Sequence, residues 1–189
     1  QFFWLELPFV YRVHEKPDAE KMQEFRTFLM GLSIRLKGEG GNIHPKALNE
    51  VLEQVAGTSY ENVVNTVMLR SMKKAFYSTE CEGHFGLSMK YYCHFTSPIR
   101  RYPDLIIHRI IKEYLHGGID DERIAVLSKK TQEAAETSSV TERAAIELER
   151  DVEKMKKAQY MSYHIGESFE GVISGITGYG MYVELENTI

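Results

Sequence analysis

Two adjacent arginines follow a Ser-Pro pair in an aromatic-rich stretch, and these residue types at this spacing could hold a phosphate. The stretch covers residues 91–102 and reads YYCHFTSPIRRY. Ser97 and Pro98 are preferred at the start of a helical turn, whose free backbone N–H groups favour an anion. Arg100 and Arg101 add guanidinium groups, which bind phosphate through two N–H donors at once. Because the neighbouring aromatic rings could stack on bases, the pattern indicates a site for single-stranded nucleic acid.

The same residues could also have purely structural roles. Two arginines at the start of a helix can simply pair with carboxylates, and aromatic residues on a strand usually lie in a core. A zinc site is disfavoured because the cysteines and histidines of the region match no standard spacing; they are Cys81, His84, Cys93, His94 and His108. A Cys–His nucleophilic pair is disfavoured because Cys93 and His94 are adjacent, and adjacent residues of a strand point to opposite faces. The residues alone are compatible with both phosphate binding and a structural ion pair.

The composition of the whole chain excludes several classes of protein. The 189 residues carry a formal net charge of −4, and 43% of them are hydrophobic. These values indicate an ordered globular protein, and they argue against a generally basic nucleic-acid binder, whose pI often exceeds about 9. Two cysteines do not make a disulfide framework, which favours a reducing compartment. The apolar runs are far shorter than the ~18 residues of a membrane span, and no signal peptide is visible.

Hydrophobic periodicity predicts a helix-rich chain that begins and ends with β-structure. Apolar residues at three- and four-residue spacing predict six helices, which begin near Pro17, Pro45, Tyr60, Pro103, Asp121 and Val140. Ser139 and Glu142 have the spacing of a capping box, which separates the last two of these helices. Residues rich in valine and aromatic side chains, or alternating in polarity, predict strands over residues 8–14, within 83–95, over 168–174 and over 181–185.

The residues around the arginine pair resemble the signature of a known family. The run HFTSPIRRYPDL at residues 94–105 is similar to the signature of the RNB exoribonucleases of the RNase II and RNase R type, closest to the bacterial RNase R branch. Further similar segments lie at residues 8–15, 34–38, 43–48, 68–73, 83–87 and 149–152. The resemblance implies an α+β fold in which residues 1–165 are the C-terminal portion of an RNB catalytic domain, with long helices on a sheet. Residues 166–189 resemble the first strands of a truncated, RNA-binding OB-fold domain.

The resemblance also implies a function. Members of the family degrade single-stranded RNA processively from the 3′ end and release nucleoside 5′-monophosphates, using magnesium held by a cluster of aspartates. No such cluster occurs in this sequence. We therefore expect the chain to be part of a longer parent enzyme, to hold no metal ligand itself and to be inactive alone. We expect the parent to be a cytoplasmic monomer that binds single-stranded RNA and no membrane. The alternatives are a non-catalytic RNA-binding module with an RNB-like fold and a purely structural helical scaffold.

Individual residues take roles from the same resemblance. Arg100 matches the family arginine that holds the phosphate at the scissile bond, and Glu149 matches a glutamate near the 3′-terminal nucleotide, so both are candidate catalytic residues. The candidate substrate-binding residues are Tyr91, Tyr92, Thr96, Ser97 and Arg101. Tyr91 and Tyr92 are adjacent on a predicted strand, so at most one of them should line an RNA channel. Either an RNA contact or a structural role is open for Thr96, Ser97, Arg101 and Glu149.

Overall fold

The computed structural model of the chain describes residues 6–38 and 43–185. Two compact units are present, Gln1–Thr141 and Glu142–Ile189. The elements are β1 (Tyr11–Val13), α1 (Ala19–Gly31), α2 (Pro45–Val55), α3 (Glu61–Ser71), β2 (Phe76–Ser78), α4 (Tyr102–Gly117), α5 (Asp121–Ser162), β3 (Gly171–Thr177) and β4 (Gly180–Leu185). Five helices and two small antiparallel sheets in this described part of the chain confirm the α+β class.

Helix α1 is shorter than its sequence pattern predicted. It begins at Ala19 because the Asp18 carboxylate accepts a hydrogen bond of 2.9 Å from the Glu20 N–H, which places Pro17 before the cap. It ends at Gly31 because Ser33 adopts a left-handed φ of 61° and the Ile34 N–H donates back to the Leu29 carbonyl. The amphipathic pattern continues beyond this point, but the helix does not.

Helices α1, α2 and α3 enclose one of the two hydrophobic cores of the first unit. Their apolar stripes supply most of its buried side chains, which are Met22, Phe25, Leu29, Leu36, Ile43, Leu48, Val51, Val55, Val64 and Met68. Helix α2 begins at Pro45, as predicted, and His44 caps it by accepting the Lys46 N–H at Nδ1. Local hydrophobic periodicity was sufficient to predict these three helices, because each of them buries a single face.

The other core of the first unit lies between the β1–β2 sheet and helices α4 and α5. Strands β1 and β2 are antiparallel, with Arg12 opposite Tyr77. The buried side chains include Val10, Val13, Tyr77, Ile106, Ile107, Ile110, Leu127, Ala134 and Ala135. The sequence prediction missed β2, which has only three residues. A strand this short carries too little alternation to be recognised.

The prediction of two long helices after Asp121 was wrong. Residues Asp121–Ser162 form one helix, and Ser139 lies in its interior. The Ser139 hydroxyl donates to the Ala135 carbonyl at 2.8 Å and accepts the Tyr77 N–H at 2.9 Å. Ser139 therefore joins α5 to β2 and caps no helix.

Residues 83–95 do not form the predicted strands. A single 3₁₀ turn over Phe85–Leu87 and isolated bridges at His84 take their place. Gly83 and Ser88 have φ values of 83° and 53°, which interrupt an extended chain. The segment still runs beside β1, because the Arg12 N–H donates to the Tyr92 carbonyl and the His14 N–H to the Gly83 carbonyl.

The second unit contains the predicted hairpin. Strands β3 and β4 are antiparallel, with an irregularity between Ile173 and Gly175. The first strand begins at Gly171, three residues later than expected from residue 168. Residues 186–189 of the predicted OB-fold segment lie outside the described residues. No helix within residues 6–38 and 43–185 has the length and hydropathy that crossing a bilayer requires.

Candidate nucleic-acid site

The stretch that contains the two arginines folds into a turn that leads directly into α4. The Ser97 carbonyl accepts hydrogen bonds from the N–H groups of Arg100 and Arg101, at 3.2 and 3.0 Å. Helix α4 follows at Tyr102, with Pro103 in its first turn, as predicted. The helix has no side-chain cap at Arg101. Instead, the Asp104 carboxylate reaches back and accepts the Ser97 N–H at 2.8 Å.

The two adjacent arginines are in different environments. Arg100 is exposed, and its guanidinium forms no hydrogen bond or ion pair with any residue that the structure describes. The Arg101 side chain is 20% exposed and pairs with the fully buried Asp104, with 2.8 Å between Nη2 and Oδ2. Arg100 is therefore available to a ligand, whereas the guanidinium of Arg101 is engaged inside the protein.

Tyr91 and Tyr92 also separate, although the strand predicted for them is absent. The ring of Tyr92 lies edge-on between His84 and His94, with centroid distances of 5.0 and 5.9 Å. Tyr91 is 38% exposed, and the Lys90 Nζ lies 5.4 Å from its ring centroid. Only Tyr91 of this pair presents an exposed ring together with a neighbouring positive charge.

Thr96 and Phe95 complete the exposed side of the turn. Thr96 is exposed, and Phe95 is 43% exposed. His108 of α4 stacks on the Phe95 ring with 4.3 Å between centroids and an angle of 22°, and its Nε2 bonds the Phe95 carbonyl at 2.8 Å. His108 thus fixes Phe95 from one side. Phe95 is one of the aromatic rings of the stretch that could stack on bases, but our site prediction missed its contact with His108 and it missed Asp104; the spacing of three residues between Arg101 and Asp104 was the available signal.

Burial keeps the thiols near the site protonated. It raises the pKa of Cys93, and the nearby charges of Asp104 and Cys81 raise it further. Burial also raises the pKa of Cys81, and it raises that of Tyr11 to about 12. A nucleophilic cysteine needs a depressed pKa, so the arrangement is unsuited to thiolate chemistry.

The described residues contain no cluster of metal-ligating side chains. No group of three or more His, Cys, Asp or Glu side chains among residues 6–38 and 43–185 is arranged to hold a metal ion. Magnesium prefers carboxylate oxygen ligands. The one buried carboxylate of the turn, Asp104, is instead engaged by two nitrogen donors.

Glu149 lies on α5 in the second unit, whereas the other candidates lie in the first. Its side chain is exposed, and nearby Asp151 pairs with Lys154 at 3.2 Å. The apolar side chains of Leu148, Val152 and Met155 on the same helix are also exposed. The structure therefore shows Glu149 as a solvated charge beside exposed apolar side chains.

Comparison with known proteins identifies the family of this chain. The model of the RNB domain matches residues 1–117, so the chain belongs to the RNB domain family. It is 46% identical to Ribonuclease R 1 of Lactococcus lactis, over 97% of this chain and 22% of that protein. It is 45% identical to Ribonuclease R of Thermotoga maritima, over 95% of this chain and 25% of that protein. The chain thus spans about a quarter of the length of these curated relatives.

A solved structure supports the same family and fold. Mycoplasma genitalium RNase R in complex with ribose methylated single-stranded RNA matches with a TM-score of 0.89 and 28% sequence identity. The match covers 99% of this chain and 30% of that one. The resemblance to RNB proteins of the RNase R type, drawn from the sequence, is therefore confirmed.

Proposed function

We propose that this chain is part of a longer hydrolytic exoribonuclease that degrades single-stranded RNA from its 3′ end to nucleoside 5′-monophosphates. The observation that carries the proposal is the exposed Arg100, whose guanidinium is unengaged among the described residues and stands on a turn fixed to α4. A relative named Ribonuclease R 1 is 46% identical to the chain, and the structure of another RNase R contains single-stranded RNA. Both findings support RNA as the ligand of this turn.

The proposed catalytic role of Arg100 follows from its chemistry. Its guanidinium would donate two N–H bonds to the phosphate at the scissile bond and stabilise the negative charge that develops there. Glu149 would lie near the 3′-terminal nucleotide. This second role follows from the family resemblance, and the exposed carboxylate of Glu149 is accessible to a ligand.

The other candidates would bind the RNA strand or support the binding site, and would take no part in cleavage. Tyr91 would stack on a base, because its ring is exposed and Tyr92 is packed between two histidines. Thr96 and Ser97 would donate hydroxyl hydrogen bonds to the backbone of the strand. Arg101 would serve the site through its pair with Asp104.

The remaining expectations belong to the same proposal. Magnesium would be held in the parent by an aspartate cluster outside this chain, as the resemblance implies. Residues 1–165 would be the end of the catalytic domain, and residues 166–189 the first hairpin of an OB-fold. The parent would act as a monomer in the cytoplasm, and the free thiols of Cys81 and Cys93 fit a reducing compartment.

The test compares the full-length parent with the present chain on single-stranded RNA labelled along its whole length, with magnesium in the buffer. We expect the parent to degrade the RNA processively and to release mononucleotides, and a blocked 3′ end to prevent this. The chain alone should release none. A parent that binds the RNA without releasing mononucleotides would support a non-catalytic RNA-binding module instead, and one that neither binds nor cuts would support a scaffold.

A further inference from the structure

Asp104 is a fully buried carboxylate that joins three parts of the site. It lies in the first turn of α4, and no part of it is exposed to solvent. Its Oδ2 atom accepts the Ser97 N–H at 2.8 Å and the Arg101 Nη2 at 2.8 Å. One oxygen atom therefore fixes the residue that begins the turn, the residue that ends it and the helix behind it.

The position of Arg100 depends on this arrangement. Ser97 and Arg101 are linked a second time, because the Ser97 carbonyl accepts the Arg101 N–H at 3.0 Å. Arg100 lies between these two anchored residues and has an exposed, unengaged side chain among the described residues. Movement of either anchor would move the guanidinium that is proposed to meet the phosphate.

The hydrogen-bonding atoms of the Arg101–Asp104 ion pair are only partly satisfied. Asp104 Oδ1 and Arg101 Nε are both buried, and neither has a hydrogen-bond partner in the described structure. A buried charge with unpaired hydrogen-bonding atoms costs free energy, and an apolar pair of similar volume is often at least as stable. The two unpaired atoms are one acceptor and one donor, so the ion pair lacks the second hydrogen bond of a bidentate pair. The Oδ2 atom alone binds the turn.

We propose that Asp104 is a positioning residue, which holds the 97–101 turn so that Arg100 meets the phosphate of the RNA. Arg101 then supports the turn from inside and is no direct RNA contact. The inference rests on the proposed exoribonuclease function, and it deepens that function by naming the group that orients Arg100. Asp104 touches neither RNA nor the reacting atoms in this role.

The test is a double-mutant cycle in the full-length parent, with kcat and KM measured on single-stranded RNA. The variants are Asp104→Asn, Arg100→Ala and both together. We expect Asp104→Asn to lower kcat by about 10²-fold, since a misplaced group can cost that much, and to change KM little. In the Arg100→Ala background, Asp104→Asn should cause almost no further loss, because the group it positions is absent.

A matched control removes another carboxylate of the same helix. Glu113 pairs with Arg123, with 2.9 Å between Oε2 and Nη2, and lies outside the turn. Glu113→Gln should leave kcat and KM unchanged. Thermal unfolding of every variant shows how much folded protein each assay contains. If Asp104→Asn does not fold, Asp104→Glu replaces it, because Glu keeps the charge that pairs with Arg101 but displaces the carboxylate by one methylene.

The possible results separate the two proposals. Unchanged kcat in Arg100→Ala would overturn the role of Arg100 in the proposed function. If Arg100→Ala loses activity but the Asp104 variants do not, the positioning role is wrong. It is also wrong if the losses of the single variants multiply in the double variant, since a merely structural carboxylate would affect both backgrounds equally.

Discussion

The hydroxyl of Ser139, in the middle of α5, accepts a hydrogen bond of 2.9 Å from the backbone N–H of Tyr77 in β2. The two residues are 62 positions apart in the chain and both are buried. Ser139 also donates to the Ala135 carbonyl one turn earlier in its own helix. A single hydroxyl thus connects the long helix to the small sheet in the interior of the first unit.

Replacing Ser139 with alanine should destabilise the first unit. The Tyr77 N–H would lose this buried acceptor, and an unsatisfied buried group costs about 1–3 kcal/mol. We expect the free energy of unfolding in urea to fall by that amount. Ser128→Ala is the matched control, because Ser128 makes the same bond to the carbonyl four residues earlier but is exposed. Its change should stay within about 0.5 kcal/mol. Equal losses in both variants would show that the bond to Tyr77 contributes nothing.

The same bond explains why the sequence misplaced a helix boundary. Ser139 and Glu142 fit the capping box by type and spacing, which is a purely local signal. Whether a serine caps a helix or bonds a distant strand is decided by tertiary structure. The helices α1, α2 and α3 were predictable because each buries one periodic face. Strand β2 was not, since a strand of three residues is specified by pairing with the distant β1 and not by a local pattern.

The candidate site, like the fold, was only partly predictable from the sequence. Residue types and family resemblance identified the turn and the exposed Arg100. Residue types alone did not distinguish Arg100 from Arg101, whereas the resemblance gave them different roles; the structural difference between them is the burial of the Arg101 side chain against Asp104. The sequence predicted that at most one of Tyr91 and Tyr92 lines a channel, but on a strand that does not form; in the described structure the ring of Tyr92 packs against His84 instead.

Arg100→Lys in the full-length parent should lower kcat nearly as much as a complete loss of the side chain. Lysine keeps the positive charge but lacks the planar fork that binds a phosphate through two donors. Removal of one transition-state donor typically costs about 10²–10³-fold in kcat, and we expect a loss in that range. The measurement is single-turnover release of mononucleotides from single-stranded RNA.

Arg70→Lys provides the control for this substitution. Arg70 is an exposed arginine in the last turn of α3, and its change to lysine should leave the rate unaltered. A parent in which Arg100→Lys also retains full activity would show that positive charge alone suffices at the turn.

The two cysteines should react slowly with iodoacetamide at neutral pH. Burial raises the pKa of both thiols, and Asp104 raises that of Cys93 further, so little thiolate is present. We expect each folded thiol to be alkylated more slowly than in the chain unfolded by guanidinium, with rates that increase as the pH rises above 8. Mass spectrometry of the two cysteine peptides resolves the rates. A folded Cys93 that reacts faster than the unfolded one would contradict the raised pKa.

The stability of the first unit should decrease as the pH falls through 6.5, and His84 should cause part of that decrease. Burial lowers the pKa of His84 from 6.5, and the neighbouring His14 and Arg12 lower it further. The unfolded chain therefore takes up this proton at a higher pH than the folded chain. The contribution of His84 to stability is complete above pH 6.5 and is lost as the pH falls towards the lower pKa of the folded state.

Removing the titrating group should flatten this dependence. His84→Asn keeps an acceptor for the Leu87 N–H, whereas His84→Phe keeps an aromatic ring beside Tyr92. The two variants should differ in their free energy of unfolding at pH 8, where packing and hydrogen bonding at residue 84 determine the difference. Both should show the same smaller slope of unfolding free energy against pH between about 7.5 and 5.5, because neither titrates there. Urea unfolding at several pH values measures the slopes, and an unchanged slope in both variants would assign the acid sensitivity to other groups.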